Sequence, residues 1–186
     1  MLRTIRFLSL MCVGVALVGG CSQDAPSSST SAPPTTPTSG GADRTPSPAA
    51  KLTAACPLLS ATELKTLLGG GARTKLTATD EKTDNPNDFT CAYGSGGKKP
   101  FALTVMSRPN VTPKAVIAAV AKNSEVKSRR VPGVGAAAVI YTKNGFSVLT
   151  ASKRYNGQTR TVIFAAPAVV PGRKFIEVTQ LVIGRV

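Results

Sequence analysis

Serine and lysine side chains occur at one spacing that could support catalysis. Ser124 and Lys127 match S-x-x-K, the pattern in which penicillin-recognising enzymes carry their serine nucleophile. The companion S-D-N and K-T-G patterns are absent from the sequence, and the chain contains no histidine to act as the commonest general base. Chance explains a two-residue pattern better than a nucleophile does. The sequence therefore predicts no catalytic residue and no enzyme.

Oxygen-bearing side chains are concentrated in the segment DEKTDNPND. Its possible cation ligands are Asp80, Asp84, Asn85, Asn87 and Asp88. Calcium loops place acidic residues at alternate positions around a central glycine, whereas Lys82 and Pro86 interrupt that spacing here. The sequence favours a solvated loop between strands over a calcium site, and we predict no metal site.

A glycine pattern at Gly133–Ala138 matches G-x-G-x-x-A, the fingerprint of dinucleotide-binding folds. That fingerprint requires a strand before the glycines and a helix after them. Here a basic segment precedes the glycines, and the strand-like run Val139-Ile140-Tyr141 follows them. The pattern predicts a tight turn that leads into a strand, and no cofactor is expected.

The thiol of Cys21 lies in a pattern that determines location. Arg3 and Arg6 form a cationic start, an apolar run extends from Phe7 to Val18, and Gly19-Gly20 immediately precede the cysteine. This order is typical of a secretory signal peptide. A cysteine directly after the small pair resembles the lipobox of bacterial lipoproteins, in which the thiol receives a diacylglyceryl group and cleavage occurs before it. We predict a signal peptide over 1–20 and lipidation of Cys21.

Acyl chains on Cys21 would anchor the protein to a membrane. Each buried methylene contributes about 0.8 kcal/mol, so two or three chains hold a protein that one chain would not. The apolar run is shorter than the ~20 residues of a spanning helix. The predicted location is the extracytoplasmic face of a cell membrane, and a plain secretory signal is the alternative.

Two further cysteines remain for the folded part of the chain. Cys12 lies in the predicted signal peptide, so Cys56 and Cys91 are the remaining pair in an oxidising compartment. A redox pair is typically C-x-x-C, and a zinc site needs more ligands than this histidine-free chain offers. We predict a structural disulfide between Cys56 and Cys91.

Positive charge is concentrated in the second half of the chain. The sequence has a formal net charge of +14. From Lys127 onward it contains ten Lys and Arg residues and one acidic residue, Glu177. Nucleic acid is excluded as a partner by the predicted compartment and by the absence of a recognition motif. Anionic wall or lipid components, or an envelope protein, are the expected partners, and a solvated basic face that only aids solubility is the alternative. The candidate contact residues are Lys127, Arg129, Arg130, Lys153 and Arg154.

The chain after the lipobox divides into a linker and one domain. Residues 22–50 are mostly Ser, Thr, Pro, Ala and Gly, a composition that cannot form a core, so 21–50 is predicted to be a disordered tether that begins at the lipidated cysteine. Residues 51–186 are enough for a single hydrophobic core.

Local signals predict an α+β domain with the order αβββαβββα. Ser60 and Glu63 form a capping box ahead of a helix over 61–68, and Thr112-Pro113 begin a second helix. Asn144-Gly145 and Asn156-Gly157 predict hairpins that join strands over 137–143, 146–153 and 159–166. Earlier strands are expected near 74–80, 88–94 and 100–107. The segment from Gly172 onward is a helix or a strand. The result is an antiparallel sheet of about six strands with its helices on one face.

Three segments of this domain resemble one family of lipoproteins. They are Cys56-Pro57-Leu58-Leu59 before the first helix, Phe89-Thr90-Cys91-Ala92-Tyr93, and Val131-Pro132-Gly133-Val134-Gly135. Together they are similar to the actinobacterial lipoproteins grouped as domain of unknown function 3558. The sequence departs from that family in Tyr93, where tryptophan is common, and in Ala136, where an acid is common. The resemblance implies an anchored extracytoplasmic domain and supplies no catalytic residues.

These observations lead to one expected function and two alternatives. The expected function is that of a membrane-anchored lipoprotein with a non-catalytic binding domain in the cell envelope. A carrier of an apolar small molecule or lipid is the first alternative, and an envelope hydrolase is the second.

The lipidation of Cys21 can be tested in the producing cell. Because the thiol is the acceptor of the lipid, Cys21→Ala should release the protein from the membrane or leave it as an uncleaved precursor. Incorporation of labelled palmitate measures the modification directly. Equal labelling of the variant and the wild type would show that the lipobox assignment is wrong.

Overall fold

Seven β-strands and three α-helices account for most of the part of the chain that the structure describes. The computed structural model describes residues 51–70 and 75–186. The predicted signal peptide, Cys21 and the predicted tether lie outside the described residues, as does the start of the first predicted strand. The elements are α1 (Ala61–Leu68), β1 (Thr77–Glu81), β2 (Asp88–Ser95), β3 (Lys98–Pro109), α2 (Pro113–Asn123), β4 (Ser128–Arg130), β5 (Ala137–Lys143), β6 (Phe146–Tyr155), β7 (Gln158–Pro167) and α3 (Gly172–Arg185).

The strands form one antiparallel sheet with the order β1-β2-β3-β7-β6-β5-β4. Two meanders, β1 to β3 and β4 to β7, therefore meet where β3 pairs with β7. The prediction of an antiparallel α+β domain is confirmed. The predicted count of about six strands omitted β4, a three-residue strand that pairs only with β5. The order is thus αβββαββββα rather than αβββαβββα.

Two asparagine–glycine turns connect β5 to β6 and β6 to β7, as predicted. The φ angles are 52° and 76° at Asn144 and Gly145, and 44° and 77° at Asn156 and Gly157. Positive φ at both central residues matches the right-handed twist of the strands that such a turn joins. Each turn also fixes the register, because Lys143 then pairs with Phe146 and Tyr155 with Gln158.

The hydrophobic core lies between one face of the sheet and α3. Alternate residues of the central strands, such as Leu103, Leu149 and Phe164, are buried there with Phe175 of α3. The rings of Phe164 and Phe175 meet edge to face, with centroids 5.5 Å apart. Phe175, Val178 and Val182 recur at helical spacing, which is why the segment from Gly172 forms a helix and not a strand.

Helix α2 lies on the opposite face of the sheet, so the prediction that the helices share one face is wrong. The hydroxyl of Thr159, on the face opposite Phe164, bonds to the carbonyl of Val111 just before α2. The guanidinium of Arg154 donates to the same carbonyl at 2.9 Å. A hydrophobic pattern shows that a helix has a buried face, but it does not indicate which side of a sheet that face will cover.

Helix α1 is secured at its start by side chains from three parts of the chain. Ser60 and Glu63 form the predicted capping box, with the Glu63 amide donating to Ser60 Oγ at 3.2 Å. Glu63 Oε2 accepts from the Ser60 amide at 2.9 Å. Arg185 donates to Glu63 Oε1 at 2.6 Å and to the carbonyl of Leu58 at 2.8 Å. The bond from Arg185 lowers the pKa of Glu63 from 4.5 to about 2. Buried Tyr93 donates its hydroxyl to the carbonyl of Leu59 at 2.7 Å.

The predicted disulfide between Cys56 and Cys91 is present. It joins the turn before α1 to the centre of β2, with the two Cα atoms 4.9 Å apart. Cys91 is completely buried and belongs to the main core. The bridge therefore ties α1 to the sheet.

Reduction of this disulfide should destabilise the domain. The closed loop spans 35 residues, for which the chain-entropy account gives about 4 kcal/mol, a large share of the ~5–15 kcal/mol of an ordinary domain. Thermal unfolding with and without a reductant measures the effect. Alkylation of both Cys56 and Cys91 in the native, unreduced protein, located by mass spectrometry, would contradict the assignment.

Two glycines of the turn before β5 provide a matched stability test. Gly133 and Gly135 both have positive φ, but a Cβ on Gly135 would lie 2.8 Å from the carbonyl oxygen of Ser152, whereas one on Gly133 would meet nothing within 4 Å. Gly133→Ala should cost about 1 kcal/mol, and Gly135→Ala about 1–3 kcal/mol more. Urea unfolding measures both, and equal losses would contradict the close approach at Gly135.

Candidate functional site

The five basic residues predicted to contact an anionic partner do not form one patch. Lys127, Arg129 and Arg130 lie in or beside β4, the edge strand, where Arg129 and Arg130 point to opposite faces. Lys153 and Arg154 lie two strands away, at the end of β6 that leads into the turn at Asn156. The structure therefore separates the set into an edge group and a pair at the β6–β7 turn.

Lys153 and Arg154 also take different roles, because neighbouring residues of a strand point to opposite faces. Arg154 lies on the face of α2 and donates to the carbonyl of Val111. That bond fixes the start of α2, so Arg154 has a structural role. Lys153 lies on the other face and is the member of the predicted set that takes part in a recognisable site.

A cationic pair surrounds an aromatic ring at the β6–β7 turn. Lys153 and Arg160 are directly opposed in the antiparallel register and lie on the same face. The ring of Tyr155 lies 4.6 Å from the Arg160 guanidinium carbon and 5.5 Å from Lys153 Nζ, measured to the ring centroid. Burial, together with the charge of Arg160, lowers the pKa of Lys153. Like charges directly opposite each other destabilise a sheet, so the two cations repel each other across this pair of strands.

A cavity of about 520 Å³ opens beside this pair, and we name it the turn-end cavity. Its described lining residues are Lys51, Leu52, Thr53, Pro86, Asn87, Phe89, Ser107, Tyr155, Asn156, Gln158 and Arg160. The charged members of that set are Lys51 and Arg160, and no acidic side chain is among them. Arg160 is only 6% exposed, so its charge is held in a largely desolvated position. Three hydroxyl-bearing and three amide side chains add neutral polar groups to these cations.

Acidic residues adjoin the cavity but have partners of their own. Asp88 forms an ion pair with Arg108 at 2.6 Å, and Glu81 pairs with Lys99. The carboxylate of Asp80 accepts a bond of 3.4 Å from the amide of Cys56. Asp80, Glu81 and Asp88 are thus directed to three separate partners.

One group of potential metal ligands occurs among the described residues. Cys56, Asp80 and Cys91 place their ligand atoms within 4.8 Å of one another. The two sulfur atoms are bonded to each other in the disulfide. They are therefore not thiolates, which are the form of cysteine that binds metals.

The two other motifs have structural roles at the ends of secondary structure. Ser124 is 6% exposed, and its hydroxyl donates to the carbonyl oxygens of Ala121 at 2.9 Å and Val126 at 3.1 Å, so it closes the last turn of α2. Gly133 and Gly135 form a turn that leads into β5, as predicted, and no helix follows them. The hydroxyl of Ser124 is committed to the backbone, which gives no support to a serine nucleophile.

Sequence reasoning missed Arg160, Tyr155 and Lys51 as members of the site. The position of Arg160 could have been found, because the two-residue turn at Asn156-Gly157 pairs 155 with 158 and hence 153 with 160. No sequence pattern predicts that Lys51 lines the cavity, because its position depends on how the first residues of the domain run along the sheet.

Comparison with known proteins assigns no family to the chain. No protein-family model matches it, and no curated protein matches it significantly. A structural similarity is found to a crystal structure from Bacteroides thetaiotaomicron VPI-5482, with 11% identity and a TM-score of 0.36. The match covers 55% of this chain and 40% of that chain. Among the described residues, no helix is long and apolar enough to cross a membrane.

Proposed function

We propose that this chain is a lipoprotein anchored through Cys21 to the extracytoplasmic face of a cell membrane. Its domain over 51–186 acts as a non-catalytic binding module for an anionic component of the cell envelope. The signal-peptide pattern supports the location. The resemblance to domain of unknown function 3558 is part of the same proposal, and the Cys56–Cys91 bridge and the turn at Gly133 and Gly135 support it.

The observation that carries the binding function is the opposition of Lys153 and Arg160 beside a cavity without acidic lining residues. A guanidinium offers a planar set of donors that fits phosphate or carboxylate, and an ammonium adds a mobile point charge. The Tyr155 ring holds both cations in place from one side. An anion in the turn-end cavity would reduce the mutual repulsion of Lys153 and Arg160.

Glycerol phosphate is a suitable probe, because it carries the phosphate chemistry of anionic lipid headgroups and of phosphate-bearing wall polymers. Full-length protein in a neutral detergent should bind glycerol phosphate and should not bind glycerol. Lys153→Gln should weaken the binding about tenfold, since one charged contact to the phosphate is lost. Binding should also weaken as salt rises, because exposed charges are screened.

Lys98→Gln is the matched control, because Lys98 is exposed at the far end of β3 from the cavity and the substitution makes the same change in net charge. Calorimetric titration of both variants against wild type gives the comparison. Equal affinities in Lys153→Gln and Lys98→Gln would attribute any binding to overall charge. That result would contradict a site at the turn-end cavity, as would equal binding of glycerol.

A further inference from the structure

Helix α2 leaves much of its apolar surface incompletely buried. Its sequence, PKAVIAAVAKN, is largely apolar, yet Ile117 is its one buried residue. Ile117, Ala118 and Ala121 share a helical face that lines a groove of about 710 Å³ between α2 and the sheet edge formed by β4 and β5. This groove lies on the face of the sheet opposite the main core, and we name it the α2 groove.

Short apolar side chains line the α2 groove. The opposite wall comes from Val131 and Pro132 after β4, from Ala136 just before β5 and from Ala137 at its start, where short side chains leave the space open. Few lining side chains can form hydrogen bonds. A peptide would need partners for its backbone groups, whereas a hydrocarbon chain needs none. The volume is within the ~300–1,000 Å³ typical of small-molecule pockets.

Two cations line the same groove. Lys114 at the start of α2 and Arg130 at the end of β4 are both exposed, and no acidic side chain is among the described lining residues. Neither cation takes part in the ion pairs found in the described part of the chain. An apolar cleft with unneutralised cations at its edge complements a molecule that has a hydrocarbon chain and a negative head.

We propose that the α2 groove binds the acyl chain of a long-chain fatty acid, with the carboxylate held by Lys114 and Arg130. This inference goes beyond the anion site at the turn-end cavity and is independent of it, because the two sites lie on opposite faces of the sheet and share no lining residue. The chain would cover the alanines of α2 and β5, and the carboxylate would bond to the two cations.

A photoreactive fatty acid tests the site directly. Full-length protein in phosphatidylcholine nanodiscs is mixed with a diazirine-bearing palmitate and irradiated, and the labelled peptides are identified by mass spectrometry. Labels should lie in the peptides that contain 117–121 and 131–139. Ala121→Trp fills the groove and should abolish this labelling. Ala119→Trp is the control, because Ala119 is exposed and does not line the groove.

The head group is tested separately, with variants that leave the apolar walls intact. Lys114→Gln combined with Arg130→Gln should raise the half-saturating concentration of the palmitate probe about tenfold. The same double variant should not change labelling by the corresponding fatty alcohol, which has no charge. Lys122→Gln, an exposed position on the same helix, should change neither.

Three results would overturn the proposal. Equal labelling of Ala121→Trp and Ala119→Trp would show that the groove is not the binding site, as would labels spread over the surface by exposure alone. If the double cation variant changed labelling by the fatty acid and by the fatty alcohol equally, the proposed contact of the carboxylate with Lys114 and Arg130 would be contradicted. Should Ala121→Trp fail to fold, as judged by thermal unfolding, the double variant with its two probes still decides the question.

Discussion

The pairing of β3 with β7 is the interaction on which the rest of the structure depends. Each meander can form from its own turns. A single meander, however, does not bury both faces of its strands, and the two meanders join where β3 pairs with β7. In the paired register, Leu103 lies opposite Phe164 and Val105 opposite Val162, and all four side chains are buried in the main core. The same pairing requires the chain to cross from β3 to the far edge before it returns through β4 to β7. Helix α2 makes that crossing on the opposite face. The two cavities, one on each face, both follow from this arrangement.

Elements set by neighbouring residues were predictable from the sequence, and elements set by tertiary contacts were not. The Asn-Gly turns and the Ser60–Glu63 capping box depend on a few adjacent residues, and the structure contains them as predicted. Strand β4 has three residues, too few to show an alternating pattern, and it exists because Ser128 and Arg130 pair with β5. The face on which α2 lies depends on the path of a crossover, about which the pattern of Ile117 and its neighbours contains no information.

The candidate site shows the same division within a single strand. Lys153 and Arg154 are adjacent and chemically similar in the sequence, yet alternation places one beside Arg160 and the other against the carbonyl of Val111. Charge density along the chain pointed to the second half of the sequence, but it could not distinguish Lys153, which lies opposite Arg160, from Arg154, which bonds to the backbone. The distinction required the strand register, which the Asn156-Gly157 turn determines. Local turn chemistry is therefore the link between the sequence and the position of the cationic pair.

The burial of Tyr93 sets an alkaline limit on the fold. Its hydroxyl donates to the carbonyl of Leu59, and burial, with the charges of Asp80 and Glu63, raises the pKa of the phenol above its ordinary value of 10. In the unfolded chain the same phenol ionises near 10. Above that pH the unfolded state gains a free-energy advantage that the folded state cannot match until its own, higher pKa is reached. The phenol that attaches α1 to the sheet is therefore also a group through which alkali lowers the stability of the domain.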